Sequence, residues 1–460
     1  MSDFLFKEFD EVSLKQWKQK IQFDLKGLDY NDTLIWNTTE GIDVKPVYHK
    51  DELTKTIPNL KTTKGWNVTQ HIFVVNEKRS NKNAVDVIER GAEAIIFELT
   101  QSKIDFSALL KGIDTSNTTI YFKLQFIDTD VIKSINQLAS PTSKIYLQID
   151  PIGNVAKGGK WFENSTVDLE KLTSCIESHG NLKSVLAINS DLYHNAGASI
   201  VRQLAYTLAH LNEYFNYLEQ HSRASLKNLC VTINTAIGNN YFFELAKLRA
   251  LRFLFDQLSG AYDIDISCHI ISTPGKRNKT LYDYNVNMLR TTTECMSAVL
   301  GGADAVSNLP YDTLYHKNNE FGDRIARNQL LILKSESYFD KVENPADGAY
   351  FIESISQQLA EKALDVFKKI ESAGGFLQQL QEGVIQRKIR ESATKQQELF
   401  DTEKEVLIGT NTYPNKEDRM KNDLELHPFV KNKPRKTVIE PIIERRLAEK
   451  IEQERLANEQ

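Results

Sequence analysis

Eight short apolar runs, most of them followed by a longer stretch of helical pattern, constrain the fold of this sequence more than any other feature. The runs are Val68–Val75, Ala94–Leu99, Thr119–Leu124, Lys144–Ile149, Ser184–Asn189, Leu229–Asn234, Ile264–Ile271 and Asp304–Leu309. Near-continuous apolar runs are typical of parallel strands that are buried on both faces. Eight such units favour an α/β fold, a closed (β/α)8 TIM barrel over about residues 60–375, since open sheets usually have fewer strands. A doubly wound open sheet remains the alternative.

The helical stretches between the runs are amphipathic, for example at Asn83–Arg90, Ala198–Leu218 and Tyr241–Leu258. A separate amphipathic helix precedes the barrel. Ser13 and Gln16 form a capping box at its start, and Gly27 ends it. Its apolar residues recur at helical spacing on one face, and they are Leu14, Trp17, Ile21 and Leu25. Such a stripe must pack against something, and the pattern alone allows either the chain's own barrel or a partner.

The pattern divides the chain into three parts. We expect an N-terminal helical arm at residues 1–35, the barrel at residues 36–395, and an extended and helical tail at residues 396–460. After Glu371–Gly375 the barrel pattern gives way to polar helix. An irregular stretch follows at Ile408–Arg435, and a charged helix is predicted to open near Pro441. The tail is too short for a further nucleotide-binding α/β unit.

Composition and charge exclude several classes of protein. The net charge is −5, and the 57 Lys and Arg residues are spread along the chain, so neither a nucleic-acid partner nor a membrane partner is expected. No apolar stretch approaches the roughly 20 residues of a membrane span, and the start carries no signal-peptide pattern. The four cysteines, Cys175, Cys230, Cys268 and Cys295, form no C-x-x-C pair. Free thiols in a reducing compartment explain them, and we predict a cytoplasmic protein.

Two tempting motifs do not meet their chemical requirements. Gly153–Trp161 looks like a phosphate loop, but its spacing is wrong and Trp161 stands where the Mg²⁺-binding hydroxyl belongs. We predict a flexible loop there. Cys268 and His269 are adjacent, so on a strand they face opposite sides and cannot share a metal ion. G-x-S-x-G and G-x-G-x-x-G turns are also absent from the sequence, which argues against hydrolase and dinucleotide-binding interpretations.

Several blocks of the sequence resemble the methylmalonyl-CoA mutase family. They are Thr39–Tyr48, Leu204–Ala209, Asn240–Ala250, Asn287–Glu294, Leu300–Asp304, Arg324–Asn328, Asn344–Gly348 and Ile408–Tyr413. Each block alone could be a helix face or a turn of any barrel. Their joint order along the eight-unit pattern, over about residues 14–415, carries the resemblance.

The resemblance implies a barrel whose axis is threaded by an acyl-CoA, with adenosylcobalamin over its C-terminal mouth. In active members a further flavodoxin-like domain brings the cobalamin with a D-x-H-x-x-G motif. That motif is absent here. The nearest candidate, His427, is followed by Val430 where the motif needs Gly. The resemblance therefore implies that the cofactor is held by a partner subunit and that this chain binds none.

The barrel also departs from the residues that active members use. In the first strand Thr69 and His71 stand where the family has Arg and Tyr, and Leu192 stands at the position of a thioester-binding His. A substrate-binding Arg has no match in Asp150–Asn154.

Later strands depart as well. The H-x-Q of strand seven falls on Ile271 and Thr273, although a slipped alignment could use His269, and Thr313 replaces a Glu after strand eight.

These departures predict a small, non-catalytic subunit of a heterodimeric mutase that supports a complete catalytic large subunit. We therefore assign no catalytic, cofactor-binding or metal-binding residue to this chain. Whether acyl-CoA still enters the barrel stays open. The alternative is an active acyl-CoA mutase barrel that uses a separate cobalamin-binding subunit, with His71, His194 and His269 taking the polar roles. For the N-terminal arm, the resemblance favours a partner subunit as its docking surface.

Overall fold

A computed structural model describes residues 8–53, 56–58, 65–227, 229–431 and 436–459. In chain order its strands are β1 (Trp36–Asn37), β2 (Asp43–Val44), β3 (Asn67–Phe73), β4 (Ala94–Leu99), β5 (Thr119–Leu124), β6 (Ile145–Ile149), β7 (Ser184–Asn189), β8 (Cys230–Ile237), β9 (Ser267–Pro274) and β10 (Ala305–Ser307). β1 and β2 form an antiparallel hairpin. β3 to β10 are parallel and close into a barrel, with β10 pairing back onto β3. The predicted (β/α)8 barrel is confirmed, and the open-sheet alternative is wrong.

Helices surround the barrel. They are α1 (Leu14–Asp24), α2 (Tyr30–Leu34), α3 (Glu77–Glu89), α4 (Phe106–Leu109), α5 (Thr129–Asn136), α6 (Pro151–Gly158), α7 (Ser165–Glu177), α8 (Asp191–Asn195), α9 (Ile200–His221), α10 (Tyr241–Ala261), α11 (Val286–Leu300), α12 (Glu320–Leu331), α13 (Tyr350–Ser372), α14 (Gly375–Gln381), α15 (Val384–Asp401) and α16 (Glu449–Asn458). A π-helical turn, Ile332–Glu336, extends α12. Among the described residues, none of the helices combines the length and the apolar character needed to cross a membrane.

Alternation along the barrel strands separates two cores. Residues such as Ile95, Phe97, Ile120 and Phe122 point outward and pack under the helices in the main core. Their neighbours in sequence point into the lumen and form a smaller cluster of Ala94, Ile96, Tyr121, Ile271 and Ala305. Because side chains on a strand alternate between its faces, each apolar run serves both cores. This is why the runs read as continuously apolar.

Several helices outside the barrel begin with a short polar residue at the N-cap position. The side chains of Asn76, Asp105, Asp128, Asp150 and Asn164 each accept a backbone amide hydrogen bond in the first turn of a helix. Such residues satisfy amides that have no carbonyl partner within the helix. The caps fix where each chain segment leaves the C-terminal end of a strand, and so they shape the mouth of the barrel.

The last two strands differ from their predicted bounds for a reason that the structure shows. β9 begins at Ser267 rather than Ile264, because the amide of Ile264 donates to the carbonyl of Ser259 at the end of α10 (3.4 Å). β10 ends at Ser307, because the Asn308 side chain turns the backbone by accepting from the amide of Leu309 (2.9 Å). In both places a turn takes the hydrogen bond that a strand would need.

The phosphate-loop-like segment is not a loop, so that prediction was wrong. Residues 151–158 form helix α6, which begins at Pro151 with Asp150 as its cap. The Asp150 carboxylate accepts from the amide of Gly153 at 2.8 Å. Gly159 ends the helix in the left-handed conformation (φ 72°), which glycine adopts without strain. The glycines therefore end a helix instead of surrounding an anion.

The C-terminal helix also begins later than predicted, at Glu449 instead of near Pro441. Residues 436–446 run in an extended path over α6. There the amide of Ile442 donates to the carbonyl of Ala156 (2.8 Å), and the Ile442 side chain is buried. These bonds to the barrel occupy the backbone that would otherwise start a helix.

The N-terminal helix α1 has the predicted capping box between Ser13 and Gln16. None of its residues is buried. Trp17 remains 50% exposed and Phe23 79% exposed. The arm touches the rest of the chain lightly, for example where the amide of Leu14 donates to the carboxylate of Asp51 (3.2 Å).

Candidate functional site

Polar side chains line the upper half of the lumen, near the C-terminal ends of the strands, where (β/α)8 enzymes place their chemistry. We call this group the cup, and it comprises His71, Glu98, Lys123, Gln148 and Asn234. Glu98 and Lys123 are register partners on β4 and β5, as are Lys123 and Gln148 on β5 and β6. The Asn234 amide donates to Gln148 at 3.1 Å. The His71 side chain is 42% exposed, so the cup is open to solvent.

A histidine–carboxylate pair lies in the cup. His71 Nε2 and Glu98 Oε2 are 2.8 Å apart. Burial opposes ionisation of Glu98, but the hydrogen bond and charge of His71 and the charge of Lys123 outweigh it and lower the pKa of Glu98 to about 2. Glu98 is therefore a carboxylate at neutral pH. It holds His71 in place and has no proton to donate.

Below the cup the lumen is closed by three rings, which we call the aromatic closure: Tyr121, Tyr146 and His269. The Tyr121 hydroxyl and His269 Nε2 are 2.8 Å apart, and the Tyr146 ring stacks on His269 with centroids 4.5 Å apart. Tyr121 is on β5 and His269 is on β9, four strands away in a barrel of eight. They lie on opposite walls, so their hydrogen bond crosses the full width of the lumen.

His269 is also held from its own side of the barrel. Its Nδ1 lies 3.8 Å from Asp304, whose carboxylate forms an ion pair with Arg252 (2.7 Å). Burial is the main cause that lowers the pKa of His269; Asp304 opposes this effect and Arg252 adds to it. As expected for alternate residues on a strand, His269 faces the lumen together with the buried Ile271. Its ring is engaged in closing the lumen.

Leu192 and His194 lie on α8, after β7, and point to different surroundings. Leu192 is 3% exposed and belongs to the main core. The imidazole of His194 instead lies beside Gly238 and Gly275, at the ends of β8 and β9, where any Cβ would collide with it. Burial, together with nearby cations such as Lys247, lowers the pKa of His194 well below its ordinary value. His194 is thus a neutral group in the wall of a cleft beside the barrel.

After β6, where a substrate-binding Arg is missing, the structure has a buried carboxylate. Asp150 accepts from Tyr214 (2.7 Å), and its Oδ1 lies 2.9 Å from His210 Nε2. Its second oxygen accepts the amide of Asn189 at 2.8 Å. All of its surroundings are protein, and the Asp150 side chain is 1% exposed. This group cannot pair with the carboxylate of a substrate.

The other positions that the sequence analysis compared with active members of the family do not form a catalytic site in the described part of the chain. Thr69 is buried and donates to the Asn67 carbonyl (3.1 Å), and Thr273 is half-buried at the end of β9. Thr313 is half-buried in the turn after β10. The three histidines of the alternative function do not converge, since His71 lies in the cup, His269 in the closure and His194 in the cleft.

A cleft of about 750 Å³ lies beside the barrel. We call it the side cleft. Its walls are residues 36–40, the first turn of α9, the loop between β8 and α10, and the middle of α15. It is lined by charged and polar side chains together with Trp36 and Tyr241. Sequence reasoning did not single out this cleft, because its walls come from segments that are far apart in the chain.

The described residues form no metal-binding cluster, and the surroundings of His427 do not fit an axial ligand of cobalt. No cluster of three or more His, Cys, Asp or Glu side chains in the described ranges could hold a metal ion. His427 is exposed on an irregular part of the tail, with its ring 5.6 Å from that of Phe429. An axial histidine for cobalt needs a pocket that also encloses the ring, and the surroundings of His427 do not fit that requirement.

The chain matches the family model described as methylmalonyl-CoA mutase over residues 102–457. The chain belongs to the methylmalonyl-CoA mutase family. It is 33% identical to a protein of Porphyromonas gingivalis named methylmalonyl-CoA mutase small subunit, over 89% of this chain and 71% of that relative. It is 25% identical to a small subunit of the same name from Streptomyces virginiae, over 88% of this chain and 71% of that one. A methylmalonyl-CoA mutase of Rhizobium meliloti is 27% identical, over 88% of this chain and 64% of that relative.

Membership in the mutase family confirms the resemblance found in the sequence and makes adenosylcobalamin the cofactor of the family's reaction. The aromatic closure was not predicted. Its signal was present in the sequence, because Tyr121 and Tyr146 sit at lumen positions of β5 and β6 and are register partners. Two large rings side by side in a lumen indicate that it is filled.

Proposed function

We propose that this chain is the small, non-catalytic subunit of a heterodimeric methylmalonyl-CoA mutase. Its large partner would bind adenosylcobalamin and interconvert methylmalonyl-CoA and succinyl-CoA. The hydrogen bond between Tyr121 and His269 carries the proposal, because it joins opposite walls of the barrel. An acyl-CoA threaded along the axis would have to break this bond and displace the Tyr146 ring that is stacked on it.

Energetics support a closed lumen in the resting molecule. Tyr121 is 0% exposed, and burial raises the pKa of its hydroxyl well above the ordinary value, so it remains a neutral hydrogen-bonding group. Leaving such a buried group unpaired costs about 1–3 kcal/mol. Moving two tyrosines aside would also give up their packing. A pantetheine chain would have to compensate for both losses.

The mouth of the barrel lacks the groups that a substrate carboxylate and a thioester need. Asp150 would repel the carboxylate, and Leu192 belongs to the core. The histidine–carboxylate pair in the cup, His71 with Glu98, is satisfied internally. These contacts support a barrel that is kept for its shape and not for its chemistry.

The arm supports the pairing with a large subunit. An 11-residue helix with no buried residue is stabilised only weakly by its own barrel. Trp17, Phe23 and Leu28 expose 50%, 79% and 65% of their surfaces. A partner that covers these side chains would remove apolar surface from water. A cytoplasmic location is part of the proposal, and the four free cysteines fit a reducing compartment.

Turnover of methylmalonyl-CoA tests the proposal. The purified chain with adenosylcobalamin should give no succinyl-CoA, and the mixture with its large subunit should. A useful variant is Tyr121→Phe, which removes the bond across the lumen but leaves the ring; in the mixture it should leave kcat and KM unchanged. If the chain becomes active with a lone cobalamin-binding domain, the alternative of an active barrel is correct. Loss of mixture activity in the folded Tyr121→Phe variant would place the lumen in catalysis.

A further inference from the structure

The acids of the side cleft are already hydrogen-bonded or ion-paired within its own walls. The Glu40 carboxylate accepts the amides of Ile200 (2.8 Å) and Val201 (2.9 Å) at the start of α9. Glu244 forms an ion pair with Lys247. Glu405 accepts from the Gln396 amide at 2.8 Å. No acid in the cleft therefore needs a ligand cation.

Three cations of the side cleft have no such partner. Arg202, Lys395 and Lys404 line it, and none of them lies within ion-pair distance of a carboxylate in the part of the chain that the structure describes; Glu391 interacts with Arg202 through its charge alone. Arg202 is half-buried, which makes an unpaired guanidinium costly. The cations of the lining outnumber the lining acids that lack an ion pair, so the net charge of the lining is positive and is available to an anion.

Backbone donors point to the same place. The 21-residue helix α10 opens into the cleft at Tyr241, and its cap residue Asn240 forms no capping hydrogen bond. The first amides of a helix have no carbonyl partner within it, and the helix dipole favours negative charge there. The lining also includes His194, whose lowered pKa keeps the imidazole neutral, so that it adds no charge. Phosphate is the anion that such a mixture of cations and amides suits best.

One wall of the cleft is aromatic. Trp36 is 54% exposed, lines the cleft, and packs against Phe243 in a T-shaped arrangement with 6.0 Å between ring centroids. Tyr241 lines the cleft close by. An exposed indole beside an anion site suits a planar ring, because stacking removes both faces from water. The cleft volume of about 750 Å³ falls in the range of about 300–1,000 Å³ that small-molecule sites occupy.

We propose that the side cleft binds a nucleoside phosphate. The phosphate would be held by Arg202, Lys395 and the first amides of α10, and the base would lie against Trp36. The site is outside the barrel axis and separate from the aromatic closure, so it does not depend on the proposed function. A chain that pairs with a catalytic subunit could use such a site for regulation.

Binding of ADP to the purified full chain tests this proposal, followed by calorimetry and by tryptophan fluorescence. ADP should bind saturably and change the fluorescence, and Trp36→Phe should abolish the fluorescence change. Arg202→Ala with Lys395→Ala should weaken ADP about tenfold or more, since hydrogen bonds to charged groups are involved. The matched control is Arg79→Ala with Lys82→Ala on α3, which removes the same charge on the opposite side of the barrel.

Further probes separate the parts of the ligand. Adenosine and inorganic phosphate should each bind more weakly than ADP, and coenzyme A, which carries a phosphorylated adenosine, should compete with ADP. The proposal is overturned if ADP does not bind saturably, or if both double variants weaken it equally, which would indicate unspecific charge attraction. It is also overturned if coenzyme A binds but ADP does not compete. These binding experiments depend neither on turnover nor on pairing with the large subunit. Failure of the proposed function would therefore leave their result unchanged, and their failure would leave the proposed function unchanged.

Discussion

At the scale of single residues, the Asp150 carboxylate ties the barrel to its surrounding helices. It accepts from Gly153 in α6, from Tyr214 in α9 and from Asn189 in β7, and it lies 2.9 Å from His210. Burial would raise its pKa, but the charge and hydrogen bond of His210 and the other donors lower it below the ordinary value. The charged form is therefore the one that the fold requires.

We expect Asp150→Asn to destabilise the barrel by about 3 kcal/mol or more at pH 7, since removing one partner of a buried charged network leaves the others unsatisfied. Urea denaturation measures the effect. The matched control is Asp130→Asn on α5, where the side chain is 81% exposed. Its cost should stay below about 1 kcal/mol. Equal effects of the two substitutions would contradict the role of Asp150.

The charge of Asp150 also makes the stability of the fold depend on pH. Because the pKa of Asp150 is lowered in the folded state, its contribution to stability is present above the unfolded pKa of about 3.9. It is lost as the pH falls through the folded value. The stability gap between the wild type and Asp150→Asn should therefore narrow on acidification from pH 7 toward about pH 3. A gap that stays constant would show that the Asp150 charge does not stabilise the fold.

The Tyr121–His269 bond gives a second prediction at this scale. Tyr121→Phe should cost about 1–3 kcal/mol, because it leaves a buried imidazole nitrogen without its partner. His269→Leu combined with Tyr121→Phe should cost less than the sum of the single changes, with a coupling of about 0.5–3 kcal/mol. Tyr413→Phe is the control, since Tyr413 is 82% exposed. Additive effects in the cycle would mean that the two rings do not interact.

Residue roles were harder to predict from the sequence than residue positions. The alternation along β9 correctly put His269 on the lumen face with Ile271. It could not show that the His269 ring is hydrogen-bonded to Tyr121, whose strand lies on the opposite wall of the barrel. Counting back along the chain pointed to Leu192, whereas the side chain that reaches the cleft is His194. The spacing of residues in the sequence gives their order along the chain. The geometry of the short helix α8 determines which side chain faces the core and which faces the cleft.

At the scale of elements, the arm gives the next prediction. Deleting residues 1–27 should leave the circular dichroism and melting of the barrel largely intact and weaken association with the large subunit. A closed ring of helices offers the arm no vacant core site. Burying each large apolar side chain of the arm in a partner is worth roughly 1.5–3 kcal/mol before ordering costs. Sedimentation of the mixed subunits measures the association.

Substitutions in the full chain provide the controls for this truncation. Trp17→Ala with Phe23→Ala removes exposed apolar surface from α1 and should weaken association. Lys15→Ala with Lys26→Ala changes the same segment without removing apolar rings and should have little effect. Unchanged association after truncation, or a truncated chain that does not fold, would show that the arm serves its own barrel.

Strands and helices with strongly periodic apolar residues could be predicted from the sequence. Those whose bounds depend on a helix cap or on contacts with another element could not. β4, β5 and β7 have the predicted bounds, because each of these strands coincides with one apolar run. Helix α6 was missed, because the glycines at positions 153, 158 and 159 suggest a loop until the Asp150 cap is seen. The late start of α16 follows from bonds to α6 that no local pattern records. The domain boundaries near residues 35 and 395 stay predictions.

At the scale of the whole molecule, the sequence predicted the number, order and closure of the strands, since each unit carries its own periodic signal. It did not predict that the lumen is closed or that a cleft opens beside it. Both depend on which side chains meet across the barrel. Tyr121 and His269 are 148 positions apart, and the two sides of the cleft are as distant as Trp36 and Lys395. Contacts of this kind depend on the register of the strands around the barrel. The periodicity of the apolar residues in the sequence does not determine that register.

The last prediction concerns where the cofactor binds. The purified chain should not retain adenosylcobalamin on gel filtration, and the complex with the large subunit should retain it with its visible absorption. The reason lies in the tail, where His427 is exposed on an irregular segment and cannot enclose a corrinoid. His427→Ala should therefore leave cobalamin binding by the complex unchanged, and substituting the axial histidine of the partner should abolish it. If His427→Ala releases the cofactor from the complex, this chain supplies a cobalt ligand and the division of labour between the subunits is wrong.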